Sequence, residues 1–327
     1  MHVSDPNHPD PATNAEPKTA PGGAGRILRA LRSASIVRSL RKDWVAMLAL
    51  AVLLILMFAA ALPNLLAPYR VFDLTQIQLM NAFRPPAWLD GGSAEFLLGT
   101  DDQGRDILSA IIYGLRVSVT VGLGGVALAV VIGVTIGLIA GYAGGFIDSL
   151  LMRVADVQLT FPAILIAVMI DGVSRAILGN AGRDNAAVIV LIIAIGLSGW
   201  VEYARAVRGA TMVERHRDYV ASAQLSRVGT ASILFNHILP NVLTAVLVIG
   251  TIHLGVAILI EATLSFVGLG IPPTQPSLGT LIRVGNNYIL SGEWWIAIMP
   301  GFALLVLVLA INLLGDFLRD ALNPRLK

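Results

Sequence analysis

The stretch RVSVTVGLGGVALAVVIGVTIGLIAGYAGGFID, Arg116 to Asp148, decides the fold. No charged residue lies between its two ends. About 20 apolar residues are enough to cross the ~30 Å of hydrocarbon in a bilayer, so this run contains a membrane span. Gly133, Gly137 and Gly141 recur within it at every fourth position. Such a stripe of small residues lets a second helix approach closely where lipid offers no hydrophobic drive to association.

The rest of the chain has the same character. Hydrophobic residues make up 56% and charged residues 13%, about half the charge of an ordinary soluble domain. The expected fold is an all-α polytopic membrane protein with six transmembrane helices. The first span covers 44–67 and, being long and far from the N-terminus, reads as an uncleaved anchor and not a signal peptide. The second lies within 116–148, the third covers about 149–170 and the fourth 185–203. The fifth runs over 240–262 and the sixth over 294–315.

The remaining segments divide as follows. Residues 1–25, rich in Pro, Ala, Asn and Asp, read as a disordered tail. Residues 26–43 carry Arg26, Arg29, Arg32, Arg38, Arg41 and Lys42 among apolar residues. They form either an amphipathic helix on anionic membrane lipid or a solvated basic flank. Residues 68–113 form a polar connection containing LGTDDQGRD, 114–318 hold the other five helices, and 319–327 form the C-terminus.

Lys and Arg set the orientation. Placing the N-terminus inside leaves Arg70, Arg84, Arg105, Arg116, Arg175, Arg183 and Arg283 outside, and the other 16 of the 23 basic residues inside. Basic residues favour the cytoplasmic side, so both termini are expected there. So is the polar segment Arg208 to Asn241, RGATMVERHRDYVASAQLSRVGTASILFNHILPN. A connection of this length usually engages something. Within it, Val213 to Arg227 lacks Pro and Gly and can form a short helix outside the bilayer.

Several chemistries lack their motifs. Lys18, Lys42 and Lys327 are the only lysines and none follows a glycine, so there is no Walker A loop. The absence of Cys removes thiolate sites, and none of the five His has the H-E-x-x-H spacing of a helical zinc site. No metal site or cofactor is expected on this chain, and nothing points to nucleic acid. Intramembrane charges are the default place to look for function. Arg153 and Asp156 in the third span can face one another as a structural pair. His253 and Glu261, eight residues apart in the fifth span, either line a translocation path or hydrogen-bond across a helix interface. In the outer connection, Asp101, Asp102, Arg105 and Asp106 either contact a partner or form a capped turn.

Five stretches carry a resemblance. LGTDDQGRDILSAIIYGLRVSVTVG (98–122), GYAGGFIDSLLMRVADVQLTFP (141–162), YARAVRG (203–209), EATLSFVGLGIPP (261–273) and NLLGDFLRDALNPRL (312–326) occur in order along the chain. They resemble the permease subunits of ABC importers for dipeptides, oligopeptides and nickel, of the second-permease type with an LGTD…GRD signature. That resemblance implies a type I importer membrane domain in the bacterial inner membrane. It also implies a homologous second permease, two ATP-binding subunits holding ATP and Mg, and an extracytoplasmic solute-binding protein.

The resemblance further implies that the segment 208–237 is an ATPase-coupling loop built around Tyr219, Val220, Ala221, Ser222, Ala223 and Gln224. The family's E-A-A positions fall on Ala221, Ser222 and Ala223. Its Gly falls on Arg227, while Gly229 lies two positions late. Small side chains at 221–223 permit close backbone approach. A secondary transporter working without ATPases, and a non-transporting membrane scaffold, are the alternatives left open by the residues.

Overall fold

The computed structural model describes residues 34–71 and 79–322. The expected tail 1–25, the first eight residues of the basic segment 26–43 and the last five residues lie outside them. Among the described residues the chain is helical without strands, and an isolated pairing of Thr100 with Asp106 closes the LGTDDQGRD turn.

Helix α1, Ala34–Lys42, ends on Arg41 and Lys42. Helix α2, Trp44–Ala61, starts where the Asp43 carboxylate accepts the N–H groups of Val45 and Ala46 at 3.0 and 3.1 Å, satisfying donors a helix start leaves free. Pro63 stops it, because proline cannot donate and its ring excludes the preceding turn. One further turn, Pro63–Leu66, completes the first span.

Helix α3, Ile107–Ala143, has 37 residues and begins nine before Arg116. At 1.5 Å per residue it is about 55 Å long, well beyond the hydrocarbon thickness. The boundary expected at 113/114 therefore falls inside a helix. Its N-terminus is fixed by Asp106, whose carboxylate accepts the N–H of Ser109 at 2.8 Å.

The third span differs most from expectation. Helix α4, Gly145–Leu159, and helix α5, Ala163–Asn185, meet at an angle of 90°. The apolar run 149–170 reads as continuous, but Pro162 removes a ladder N–H and pushes Phe161 away from helical angles. Helix α5 then continues past Ile170, so Asp171 and Arg175 lie within it. Their ion pair, Nε to Oδ2 at 2.8 Å, buries the carboxylate. A second interruption sits at Gly179, whose φ of 68° is cheap only for glycine.

Helix α6, Ala187–Glu214, runs 11 residues past the expected end at Tyr203. After it come the short helix α7, Asp218–Leu225, a turn at Thr230–Ser232 and a π-helical stretch, Ile233–Ile238. Helix α8, Leu239–Val267, ends at Gly268 with φ 91°, a left-handed C-cap. Helix α9, Leu278–Asn286, and helix α10, Trp295–Leu322, complete the chain. Among the described residues five helices are long and apolar enough to cross a membrane, or six where the bent pair α4–α5 counts as one span.

Helices α3 and α6 form the tightest contact. A Cβ on Gly133, Gly137 or Gly141 would lie 2.4, 2.6 or 2.7 Å from the carbonyl oxygens of Trp200, Ala204 and Arg208. The four-residue stripe therefore lets two backbones touch. One core layer joins Ile107, Leu115 and Val119 of α3 to Ile258, Leu278, Leu281, Trp295 and Ile311. A second, towards the α7 end, joins Val134 and Leu138 of α3 to Tyr203, Val207, Val220, Ala223, Ile233, Ile238 and Val242.

Candidate functional site

The end of α6, which leads into α7, is fastened by three arginines. At the end of α6, the Arg215 guanidinium donates to the carbonyls of Gly141 and Tyr142 at 3.1 and 3.3 Å. A cation there answers the unpaired carbonyls at the C-terminus of α3. Two turns earlier, Arg208 grips Asp148 of α4 through Nε and Nη2, with Nη2 to Oδ2 at 2.6 Å. Arg205 reaches Asp156 at 2.5 Å. The expected Arg153–Asp156 pair is thus replaced by a link from α4 to α6, and Arg153 is exposed. The α6 partner outcompetes the neighbour within α4 because α6 continues past the expected end of the fourth span.

Helix α7 itself has an inner and an outer face. Val220 and Ala223 are buried against Ile233, Ile238 and Val242. The Tyr219 hydroxyl donates to Glu214 Oε2 at 2.7 Å and accepts from Asn241 Nδ2 at 3.1 Å, joining α6, α7 and α8. Burial first, then the Glu214 hydrogen bond, pushes its pKa up to about 12, so it is a neutral phenol at physiological pH. Ala221, Ser222, Gln224 and Leu225 face outward, Leu225 with 86% of its surface exposed. Of the two alanines expected to permit close approach, only Ala221 faces outward. Ala223 supports the helix from beneath.

Arg227 adopts φ 54°, in the left-handed region, whereas Gly229 adopts φ −61°. The position where the resemblance puts glycine is therefore the one whose backbone favours it, and Gly229 does not take over the role. An L-residue pays about 1–2 kcal/mol there, against ~0.5–1 for glycine's extra freedom when unfolded. Arg227→Gly should raise the thermal midpoint of the purified chain, by about 0.5–1 kcal/mol of stability. A lowered midpoint would show instead that the arginine side chain holds the turn.

At the opposite end, the LGTDDQGRD segment is a self-satisfied turn. The Asp101 carboxylate accepts the N–H groups of Gln103 and Arg105 at 2.9 Å each, and Arg105 Nε at 2.6 Å. Both side chains are buried. Burial raises the Asp101 pKa, opposed by the Arg105 charge and these hydrogen bonds. Asp106 caps α3, and the Ser109 hydroxyl that donates to it accepts the N–H of Tyr69. Asp102 accepts from the Tyr288 hydroxyl at 3.3 Å, and its charge is the largest influence raising the Tyr288 pKa. Among the described residues no group of His, Asp and Glu converges as a metal set.

His253 and Glu261 sit in the middle and towards the C-terminal end of α8, and both are buried. His253 Nδ1 and the Tyr203 hydroxyl of α6 lie 3.0 Å apart. Gly199 makes room for the ring, since a Cβ there would fall 2.2 Å from the imidazole. Glu261 accepts the hydroxyls of Ser118 and Ser265 at 2.8 and 2.7 Å. The two side chains have separate partners. Sequence reasoning missed Ser118, Ser265, Asp148 with Arg208, and Asp171 with Arg175. The i,i+4 spacing of Asp171 and Arg175 was a usable signal; hydroxyls inside apolar helices give none.

Residues 133–327 match the family model for the binding-protein-dependent transport system inner membrane component. Residues 33–86 match the N-terminal transmembrane domain of oligopeptide transport permease C. The chain is 41% identical over 275 residues to a dipeptide transport system permease protein of Haemophilus influenzae, covering 84% of this chain and 90% of that one. It is 40% identical to a di/tripeptide transport system permease protein of Pseudomonas aeruginosa, over 84% and 86% of the two. A glutathione transport system permease protein of Pectobacterium atrosepticum is 40% identical over 73% of this chain and 75% of its own. By these matches the chain belongs to the binding-protein-dependent transport system inner membrane components, as a permease subunit of an ABC importer.

Proposed function

We propose that this chain forms half of an alternating-access pore for short peptides in the bacterial inner membrane, with both termini cytoplasmic and α7 as its contact with an ATPase subunit. A homologous second permease completes the pore. Two ATP-binding subunits supply ATP and Mg, an extracytoplasmic solute-binding protein delivers the solute, and this chain catalyses no hydrolysis itself. The peptide assignment is supported by the substrates named for its relatives.

The observation that carries the coupling role is the two-faced α7. Its inner residues Val220 and Ala223 share one core with α3, α6 and α8, while Ala221, Ser222, Gln224 and Leu225 project outward. A push on the outer face is therefore delivered to three membrane helices at once. ATP-driven closure of the ATPase pair displaces such a helix as a rigid body and opens the cavity outward, and hydrolysis resets it.

Ala221→Trp should lower ATP hydrolysis stimulated by the loaded binding protein about tenfold, about 1.4 kcal/mol of coupling, with normal membrane insertion. Undiminished stimulation in reconstituted complexes would remove α7 from the ATPase contact.

A further inference from the structure

Glu261 is fully buried near the outer end of α8. A carboxylate out of water costs several kcal/mol unless hydrogen bonds meet it, so its wiring is informative. Ser118 Oγ accepts the N–H of Leu278 at 3.2 Å, and Ser265 Oγ accepts the N–H of Ile271 at 3.2 Å. Each hydroxyl has thus taken a backbone donor and turns its own proton to Glu261. Both carboxylate oxygens act as acceptors, and the two serines relay the tie onward to the segment between α8 and α10.

That segment, 268–286, is fitted closely as well. A Cβ on Gly270 would fall 2.1 Å from Ser265 Oγ, and one on Gly279 would fall 2.4 Å from the Ala262 carbonyl oxygen. Thr280 Oγ1 donates to the Ile271 carbonyl at 3.0 Å, and Ser277 caps α9 through the N–H of Thr280. At the other end of α8, Asn241 reaches Tyr219 of α7. Asn241 and Glu261 are 20 positions apart on one helix, about 30 Å.

We propose that Glu261 is a positioning residue for the transport cycle. By tying α3 to α8 and to the segment 268–286, it makes that outer segment follow α8, which carries the α7 contact at its other end. The proposal rests on the reading of α7 as the coupling contact. A directional tie explains a carboxylate where an apolar side chain would serve for packing alone.

The chain contains no Cys, so spin labels can be placed in the native sequence. Labels at Gln275 in the outer segment and Val131 on the exposed face of α3, in the assembled importer, should give one distance. That distance should be the same without nucleotide and with ATP and vanadate. Glu261→Gln keeps the volume but turns one acceptor into a donor, so one serine hydroxyl loses the oxygen to which it gives its proton. It should separate the two states by about 5 Å or broaden the distribution by as much, one helical turn, while ATP hydrolysis persists. Should that variant not assemble, Ser118→Ala removes one of the same ties and is read the same way.

A nucleotide-independent distance in the variant, equal to the parent's, overturns the proposal. So does a fall in ATP hydrolysis and assembly with no change in distance, which is the signature of a packing role. Ala221→Trp in the same labelled chain separates the two readings. Normal hydrolysis there strikes the coupling assignment of α7, whatever the distances around Glu261 show.

Discussion

Gly137→Leu should prevent recovery of the folded chain from membranes, the largest effect expected of any single substitution here. A Cβ at Gly137 already falls 2.6 Å from the Ala204 carbonyl oxygen and 2.8 Å from the Val207 Cβ. Overpacking a core costs about 1–3 kcal/mol when side chains can give way. Here the obstacle is backbone, and relief requires α3 and α6 to separate along the contact that also seats Gly133 and Gly141. That loss approaches the whole margin of a typical domain, about 5–15 kcal/mol. Gly209→Ala is the control, because no atom lies within 4 Å of the added carbon. Size-exclusion profiles of the two variants in detergent give the answer, and a monodisperse Gly137→Leu peak would mean the contact yields.

The second large effect is expected at Arg208 and Asp148. The pair is bidentate and part-buried, and it fastens α4 to α6 across 60 positions of sequence. Breaking a buried pair leaves a charge without its partner, at about 3–5 kcal/mol. The arginine is one-third exposed, which brings the expected loss down to about 2 kcal/mol. Asp148→Ala and Arg208→Ala should each lower the thermal midpoint, and the double variant should lose less than the two combined. Strict additivity in that cycle would mean the two groups do not interact. Arg205–Asp156, whose side chains are about half exposed, should contribute far less to stability.

The spans were legible because each is a long apolar run with few charges, and the glycine stripe because its spacing matches the helix. The 90° bend was not. Its cause, Phe161-Pro162, is one dipeptide in an apolar run, and hydropathy averages it away. The extension of α6 to Glu214 was missed for the opposite reason. Polar residues after Tyr203 resemble a loop, but Arg208 and Arg215 are paired with α4 and α3.

The α7 helix, Asp218–Leu225, falls inside the stretch 213–227 that lacks Pro and Gly but is shorter, because α6 runs on to Glu214; its rotation was not legible. Which of Ala221 and Ala223 faces inward depends on Ile233, Ile238 and Val242, residues supplied by later elements. Glu261 was singled out as an intramembrane charge. Its partner Ser118 lies 143 positions away, beyond the reach of any local pattern.

Helix α3 has a consequence beyond its length. Its first turn is anchored by Asp106 and Ser109 to the LGTDDQGRD turn, and its last turn receives Arg215 beside α7. One unbroken rod therefore fixes the angular phase between the two mouths of the subunit. Each inserted residue would turn one mouth about 100° and shift it about 1.5 Å relative to the other. Substitutions along the lipid-facing side of α3 can be absorbed locally, but a change in residue count cannot. An insertion in the connections on either side of that helix should therefore be borne better than one within it.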